Sequence, residues 1–564
     1  MAPAEPVAPV AAAGSEDLPG AAGEARLSAT RHDDQTITGP IGVRLQPWTG
    51  PPKLRRPWAG VWGHYPWTMP IRYGHPISYG QFEQRVRRHR PSELVPAIAA
   101  ITSGMSDDDF RAMKQRLVFP WGLAAATRES LCRGNEHRQS GVTSQDIVEI
   151  AGAYNALSGP LLDGTEVGKL HAFFTRISNE QFPYQQSAFE ELTRPYAMFY
   201  LDADEVRTEI VTRGFWERAL GCSMEQFWAA GFLSWVAAQR NAGWIDLAVL
   251  HRPDMAPLFQ EVSRETLESV ITNHFSTTTA EFCARVDETR SEQPELRRYD
   301  FNPLIRTPLI RWSDDRFLAP IAQLVLRPVS TSGMYFLGLE ACSTPAEKDS
   351  FTRDVGELFE AYVGRQLREM HGAEVLPEVR YDGDRSVDWF LVFPNLTVLI
   401  EAKSTRLTQE ARMGKPRLVD DVERSVGRAF RQLKTSHELI LAGHAAFADI
   451  PVDRPIFGLV VTLEPYYLVN NPLIREVLID PGVPAHTTSI RELEHLVAIS
   501  AEESVADFLL EVMTDAERST WDFFAALGDR SVGSRNRILD AAWAQFPWSE
   551  TARERAAQEG DDDA

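Results

Sequence analysis

Two carboxylates and a lysine, Asp388, Glu401 and Lys403, stand at the ends of two apolar runs in the stretch VDWFLVFPNLTVLIEAKSTR. Two carboxylates held together among apolar neighbours repel each other, so they need a cation or a raised pKa. Mg²⁺ meets that need because it prefers oxygen ligands and commonly takes one or two protein carboxylates together with waters and substrate phosphate. The residue types therefore predict magnesium-assisted chemistry at phosphate, with Mn²⁺ as a plausible substitute. The backbone carbonyl of Ala402 would add a ligand, and Lys403 would orient or activate a water or stabilise charge on the phosphate.

A hairpin is predicted to bring these residues together. Pro394 and Asn395 form the turn between the two runs, and pairing Phe393 with Leu396 sets the register. Asp388 then lies directly opposite Glu401, and alternation puts Lys403 on the same face. The alternative interpretation is an edge hairpin whose end charges face water and whose lysine merely bridges the two acids, which would contribute little to stability.

A helix is predicted just before the hairpin, over about residues 346–370, from an apolar stripe that includes Phe351, Val355 and Leu358. Glu357 falls opposite that stripe, whereas Glu360 falls on its flank. Glu360 is therefore the better placed of the two to point into a site. The following segments are predicted as strands at about 373–381, 386–393, 396–404 and 456–463, with a helix at about 419–436, which gives an α-β-β-β-α-β order.

These residues resemble the PD-(D/E)XK, or restriction-endonuclease-like, nuclease superfamily over about residues 346–480. The resemblance implies an α/β fold with a mixed sheet and magnesium-dependent hydrolysis of phosphodiester bonds, usually in DNA. It implies that Asp388 and Glu401 bind metal, that Lys403 serves the attacking water, and that Glu360 supports a metal from the helix. Val387 stands where the family's name-giving proline would be, and that proline is not a ligand.

The segment after the hairpin is basic in an otherwise acidic chain. From Lys403 to Lys434 it contains nine basic against four acidic residues, while the whole chain has a net charge of −21. Such a segment favours contact with a phosphate backbone, and a solvated helix face is the alternative. Gln432 resembles a helix glutamine found near the site in several family members. The predicted nucleic-acid-binding residues are Arg406, Arg412, Lys415, Arg417, Arg428, Arg431, Gln432 and Lys434.

At 564 residues the chain exceeds the size at which a single core stops growing, so several domains are expected. Segments 1–45, rich in Ala and Pro, and 551–564, acidic, are predicted as disordered tails. A mainly helical sensor or regulatory domain is predicted over 46–340, with a β-rich end at about 302–340. It is followed by the nuclease-like domain at 346–482 and a small helical C-terminal cap at 483–550.

The four cysteines are far apart and form no CxxC pair, so they are expected to be reduced and mostly buried. Neither a signal sequence nor an apolar run of membrane-spanning length is seen, which favours a cytoplasmic protein without membrane partners.

The function that the sequence favours is a DNA endonuclease of bacterial restriction or anti-phage defence, the cellular role resting on analogy alone. The alternatives are an RNA-cleaving nuclease of the same fold, and a non-catalytic nucleic-acid- or protein-binding module that partners a separate ATPase or sensor. A homo-oligomer and a separate defence-system partner are compatible with the sequence.

Overall fold

The computed structural model describes residues 75–105, 118–138, 141–159, 175–184, 187–201, 203–260, 262–406, 421–466, 469–476, 478–531 and 534–549. Both predicted tails and the predicted nucleic-acid contacts Arg412, Lys415 and Arg417 lie outside these residues, as does most of a stretch rich in tryptophan and proline at 58–79. Across the described ranges, no helix has both the length and the apolar character needed to cross a bilayer.

The chain is a mixed α/β protein. Its strands are β1 Trp244–Asp246, β2 Ser276–Thr277, β3 Leu309–Ser313, β4 Arg316–Leu318, β5 Glu374–Pro377, β6 Arg380–Tyr381, β7 Asp384–Arg385, β8 Trp389–Val392, β9 Thr397–Lys403, β10 Ile456–Thr462 and β11 Ala485–Ser489. Its helices are α1 Tyr79–Val86, α2 Pro91–Ser103, α3 Pro120–Arg133, α4 Ser144–Asn155, α5 Ala188–Phe199, α6 Arg213–Leu220, α7 Met224–Arg240, α8 Arg264–Val270, α9 Thr279–Thr289, α10 Thr331–Ala341, α11 Pro345–Arg368, α12 Arg428–Leu441, α13 Pro472–Arg475, α14 Ile490–Ile499, α15 Val505–Thr514, α16 Phe523–Leu527 and α17 Arg537–Gln545.

A five-stranded mixed sheet carries the hairpin, with the strand order β11-β10-β9-β8-β5. β5, β8 and β9 are antiparallel neighbours, whereas β9, β10 and β11 run parallel. The parallel step from β9 to β10 needs a crossover, which α12 provides. Along the chain, α11, β5, β8, β9, α12 and β10 follow in this order, with the small hairpin β6–β7 between β5 and β8.

The two faces of this sheet are covered by different elements, which explains why its central strands are apolar on both sides. Val398 and Ile400 of β9 pack into a core with α11 and the C-terminal helices. Leu399, between them, packs on the opposite face against α12 residues such as Phe430 and Leu433. α11 starts at a capping box in which the Thr344 side chain accepts from the backbone N–H of Glu347.

The region predicted as a β-rich end contains more helical residues than strand residues. A short hairpin, β3–β4, does turn at Ser313–Asp315 and joins a four-stranded sheet of order β1-β4-β3-β2. The predicted β-rich character is wrong for the stretch SGMYFLGL at 332–339, because these residues belong to α10. The Ser330 side chain caps that helix by accepting from Gly333 N–H. Met334 is buried, and the other large apolar residues of the helix, on several sides of it, are half-buried. A helix covered on several sides has no apolar–polar period to distinguish it from a buried strand.

The expectation that all cysteines are reduced is wrong for Cys132 and Cys283, which form a disulfide with their Cα atoms 5.2 Å apart. Cys222 and Cys342 are free, and only Cys342 is fully buried. Cys132 lies on α3 and Cys283 on α9, two helices that pack against each other. Their separation of 151 residues in the chain conceals that proximity.

The largest apolar core runs across the boundaries predicted near residues 340 and 483, because it contains residues from Leu192 to Trp548. A buried ion pair reinforces this continuity. Arg194 on α5 donates to both carboxylate oxygens of Glu494 on α14, at 2.7 and 2.6 Å, and the Tyr362 hydroxyl of α11 donates to the same carboxylate at 2.8 Å.

Arg194→Ala is expected to lower the free energy of unfolding by about 3–5 kcal/mol, because it leaves the buried Glu494 carboxylate without its cation. Urea unfolding followed by tryptophan fluorescence measures the loss. Arg353→Ala is the matched control, since Arg353 pairs with Glu209 at an exposed site where such pairs contribute ~1 kcal/mol or less. Equal losses in the two variants would show that the buried pair has no special weight.

Candidate active site

The register predicted for the hairpin is confirmed. Trp389 pairs with Ile400 and Phe390 with Leu399, and the Phe393 N–H donates to the Leu396 carbonyl at 2.8 Å. Extending this register by one residue puts Asp388 opposite Glu401. Since Phe390 and Leu399 face α12, the period of two places both carboxylates on that same face.

Asp388 is anchored to the neighbouring strand. Its Oδ2 accepts a hydrogen bond from the backbone N–H of Ala402 at 2.7 Å. The N–H and C=O of one strand residue point to the same neighbour, so the Ala402 carbonyl also faces the Asp388 side. Accordingly, the Leu463 N–H donates to the carbonyl of the next residue, Lys403, on the opposite side of β9. Asp388, Glu401 and the Ala402 carbonyl thus converge on one corner of the sheet.

Glu401 and Lys403 form a buried ion pair whose lysine is held from two sides. The Lys403 Nζ donates to Glu401 Oε1, and at 3.0 Å to the side-chain oxygen of Gln432 on α12. Glu401 is 1% exposed, and its second oxygen, Oε2, is buried and accepts no hydrogen bond from the described part of the chain. A buried carboxylate oxygen without a donor is costly, so this atom invites a proton or a cation.

The pKa values of three carboxyls at this corner are raised. Burial, followed by repulsion from Asp388, raises the pKa of Glu401 to about 8. Burial also raises the pKa of Asp388 to about 6, against the opposing effects of the Ala402 N–H and of Lys403. The pKa of Glu360 is raised to about 7, first by burial and then by Asp388. The clustered carboxyls are therefore stable only if they share protons or a cation.

Glu360 lies within electrostatic reach of both hairpin carboxylates, since each of the pairs Glu360–Asp388 and Glu360–Glu401 affects a pKa. It is half-buried on α11, whereas Glu357 is exposed, as the helical stripe predicted. The Trp389 indole N–H donates to the Glu360 carbonyl at 3.3 Å and ties this part of α11 to β8. Gly364, one turn later, leaves the space into which that indole packs.

Glu378 belongs to the same electrostatic cluster and was missed in the sequence. It raises the pKa of both Asp388 and Glu360, and it pairs with Arg385 at 3.3 Å. The register Pro377–Trp389, extended by one residue, places Glu378 opposite Asp388 on the other flanking strand. An acid near the end of the strand predicted at about 373–381 was the available signal.

Val387 has a structural reason to differ from proline. Its backbone N–H donates to the Ser436 hydroxyl of α12 at 3.0 Å. Proline has no N–H, so it would leave that buried hydroxyl without this donor. The bond fixes the start of β8 against the helix that carries Gln432.

The donor set fits a hard divalent cation. The described residues contain no group of three or more His, Cys, Asp or Glu side chains that could hold a metal ion by themselves. Mg²⁺ does not require such a group, because one or two carboxylates with waters and a substrate phosphate commonly complete its shell. Asp388, Glu401 with its donor-free oxygen, and the Ala402 carbonyl supply that set, with Glu360 beside them.

The predicted nucleic-acid-binding residues fall into different surroundings. Arg428 and Arg431 are exposed on α12, and Arg431 pairs with Glu423 at 2.5 Å. Lys434 is half-buried, with its methylenes beside Gly482. Gln432 binds Lys403 and so belongs to the carboxylate site itself. Nucleic-acid contact by these residues stays a prediction.

Arg406 is turned into the protein, with 7% of its side chain exposed. It donates to Glu464 at 2.8 Å and to the Ser332 hydroxyl at 2.9 Å, and its guanidinium lies 4.2 Å from the centre of the Tyr335 ring. Direct contact with a phosphate backbone would require these bonds to open. Arg406 thus links the end of β9 to α10.

Comparison with known proteins gives no assignment, because no family model and no curated protein matches this chain.

Proposed function

We propose that the chain is a divalent-metal-dependent nuclease of the restriction-endonuclease-like class, acting on DNA. The observation that carries the proposal is the corner where Asp388, Glu401 and Lys403 meet on one face of a mixed sheet, with a donor-free carboxylate oxygen at its centre. The surrounding α-β-β-β-α-β order and Glu360 on the preceding helix support the same class.

In this proposal each residue of the site has a distinct role. Asp388 and Glu401, with the Ala402 carbonyl, would hold Mg²⁺ or Mn²⁺, and Glu360 would support the metal from α11. The ion, when bound, would stabilise negative charge on the phosphate and lower the pKa of a water. Lys403, oriented by Glu401 and Gln432, would direct its ammonium group at the water or at the scissile phosphate.

The fixed orientation of Lys403 distinguishes this site from an ordinary salt bridge on the protein surface. Lys403 has 16% of its side chain exposed and has two fixed acceptors, so little reorganisation is needed when charge develops on a phosphate. An exposed salt bridge would leave the lysine free to move and hydrated.

DNA is proposed as the substrate and RNA is the alternative, because metal chemistry at phosphate does not distinguish the two. The exposed Arg428 and Arg431 on α12 would contact the backbone beside the site. A role in restriction or anti-phage defence, with a homo-oligomer or a separate defence partner, follows by analogy with such architectures. A binding module that has lost catalysis would have little reason to retain a pre-oriented Lys403.

The proposal is tested by incubating supercoiled plasmid and a structured RNA with the full chain in Mg²⁺, Mn²⁺ or EDTA. We expect metal-dependent cleavage, preferentially of DNA, and a loss of about 10²–10³-fold in rate for Lys403→Ala because charge on the phosphate loses its stabilising cation. Lys348→Ala, at an exposed position of α11, is the matched control and is expected to cleave normally.

Equal cleavage by wild type and Lys403→Ala would rule out this site as the source of activity. Preferential cleavage of RNA would change the substrate and keep the chemistry. If the wild type binds nucleic acid and cleaves neither polymer in any metal, the binding module is favoured.

A further inference from the structure

A cavity lies between the N-terminal helices and α10, apart from the carboxylate site. Its volume is about 740 Å³, within the ~300–1,000 Å³ typical of small-molecule sites. Its walls come from α3, α6, α9 and α10 and from the segment around residues 298–307, and Arg406 reaches it from the end of β9. The cavity is therefore too large for a simple anion and of suitable size for a compact organic ligand.

Arginine side chains outnumber carboxylates in the lining of this cavity. Seven arginines line the cavity, against three carboxylates, Glu180, Asp300 and Glu340. Three of the arginines also pair with acids behind the wall: Arg128 with Glu129, Arg327 with Glu191, and Arg406 with Glu464. Arg298 pairs with Glu180 at 3.1 Å and Arg306 pairs with Glu340. The excess of guanidinium groups favours an anionic ligand, which arginine binds with directional, charge-assisted hydrogen bonds.

Burial also acts on the ionisable groups of this wall. It raises the pKa of both Glu180 and Asp300, and Glu180 stays paired with Arg298. It lowers the pKa of Arg176, a buried residue whose guanidinium lies 6.0 Å from the centre of the Tyr299 ring.

Flat rings and amides complete the lining. Trp121, Tyr299 and Phe336 are among the aromatic residues, and Asn179 and Asn273 add side-chain amides. Arginine planes already stack on some of these rings, as Arg306 does 5.0 Å above Phe336. Rings and guanidinium planes both stack on nucleobases, and amides bond to base edges. The lining thus offers arginines for phosphate groups and rings and amides for a base, and the volume can also hold a sugar.

We propose that this cavity binds a free nucleotide, with phosphates on the arginines around Arg176 and the base among the aromatic rings. This proposal does not depend on nuclease activity. The same wall includes Ser332 and Arg406, three residues beyond Lys403, so the ligand would lie against the segment that leaves the carboxylate site.

Isothermal titration calorimetry of the full chain in EDTA, with ATP, GTP, CTP and UTP, tests the site while withholding metal from the carboxylates. At least one nucleotide is expected to bind, at least tenfold more tightly than tripolyphosphate or the free nucleoside. Arg176→Gln is expected to weaken binding at least ~10-fold by removing a charged donor. Ala219→Trp, which fills the cavity from α6 without changing its charge, is expected to do the same.

Arg353→Gln, at an exposed ion pair away from the cavity lining, is the matched control and is expected to bind like the wild type. Thermal melts identify any variant that is unfolded, and the two cavity variants act by independent means. The proposal is overturned if no nucleotide binds, if both folded cavity variants bind normally, or if tripolyphosphate binds as well as the nucleotides. Variant-sensitive binding of a single-stranded oligonucleotide without binding of any nucleotide would instead make the cavity a channel for polymer.

Discussion

Asp388→Asn is expected to lower the rate of metal-dependent cleavage by about 10³-fold while leaving the protein folded. The substitution keeps the size of the side chain and an oxygen that can accept from the Ala402 N–H, so the hairpin corner should retain its shape. It removes the negative charge that would hold a cation beside Glu401. Single-turnover cleavage of an end-labelled duplex in Mg²⁺ measures the effect.

Asp384→Asn is the matched control for this experiment. Asp384 lies on β7, in the small hairpin that precedes β8, and is exposed. The same chemical change there should leave cleavage within about twofold of wild type. If both variants cleave at the wild-type rate, Asp388 is not part of the catalytic centre. A parallel loss in both variants would point to general charge effects.

Glu401→Gln is expected to change how the metal-free protein responds to pH. The pKa of Glu401 is raised from an ordinary 4.5 to about 8, so the folded state binds its proton more tightly than the unfolded state. The resulting stability is fully present below pH about 4.5 and is lost as pH rises through about 8. Glutamine carries no titrating group, so the variant should escape this loss.

The expected size is at least about 2 kcal/mol of relative gain for Glu401→Gln between pH 5 and pH 8.5 in EDTA, allowing for coupling to Lys403 and Asp388. Urea unfolding at the two pH values measures it. Comparing the change across pH cancels the constant cost of altering the partner of Lys403. Glu374→Gln, at an exposed position of β5, should show no such change.

At pH 8.5, Mg²⁺ should raise the free energy of unfolding of the wild type more than that of Glu401→Gln. A cation bound to the ionised carboxylates would stabilise the wild type at pH 8.5, whereas Glu401→Gln should respond weakly. If the free energy of unfolding of the wild type in EDTA does not change between pH 5 and 8.5, and that of the variant does not change either, the result would contradict the raised pKa of Glu401 and the repulsion among the carboxylates.

The hairpin was predictable because its signals are local. A two-residue turn at Pro394–Asn395 between alternating apolar runs fixes the register, and the register fixes which residues share a face. The same holds for α11, where the apolar stripe separates the exposed Glu357 from the half-buried Glu360. Period and turn chemistry are properties of short stretches, so one sequence suffices to read them.

Features that depend on long-range packing were not predictable. Ser436, which receives the Val387 N–H, is 49 residues away in the chain. α10 was read as a strand because it is covered on several sides and shows no period. The nucleotide-sized cavity also assembles from distant segments, since Arg176, Arg298 and Arg406 meet only when the N-terminal helices pack on α10. Contacts between distant segments produce no regular spacing of residues that could be recognised in the sequence.

Mn²⁺ binding followed by electron paramagnetic resonance tests the central claim most directly, because it needs neither the right substrate nor an activating trigger. We predict Mn²⁺ binding by the wild type and by Asp384→Asn that Mg²⁺ displaces, and its loss in Asp388→Asn and Glu401→Gln. Unchanged Mn²⁺ binding in both of these variants, or no binding by the folded wild type with or without duplex DNA, would contradict the assignment of this corner as a metal-dependent nuclease site.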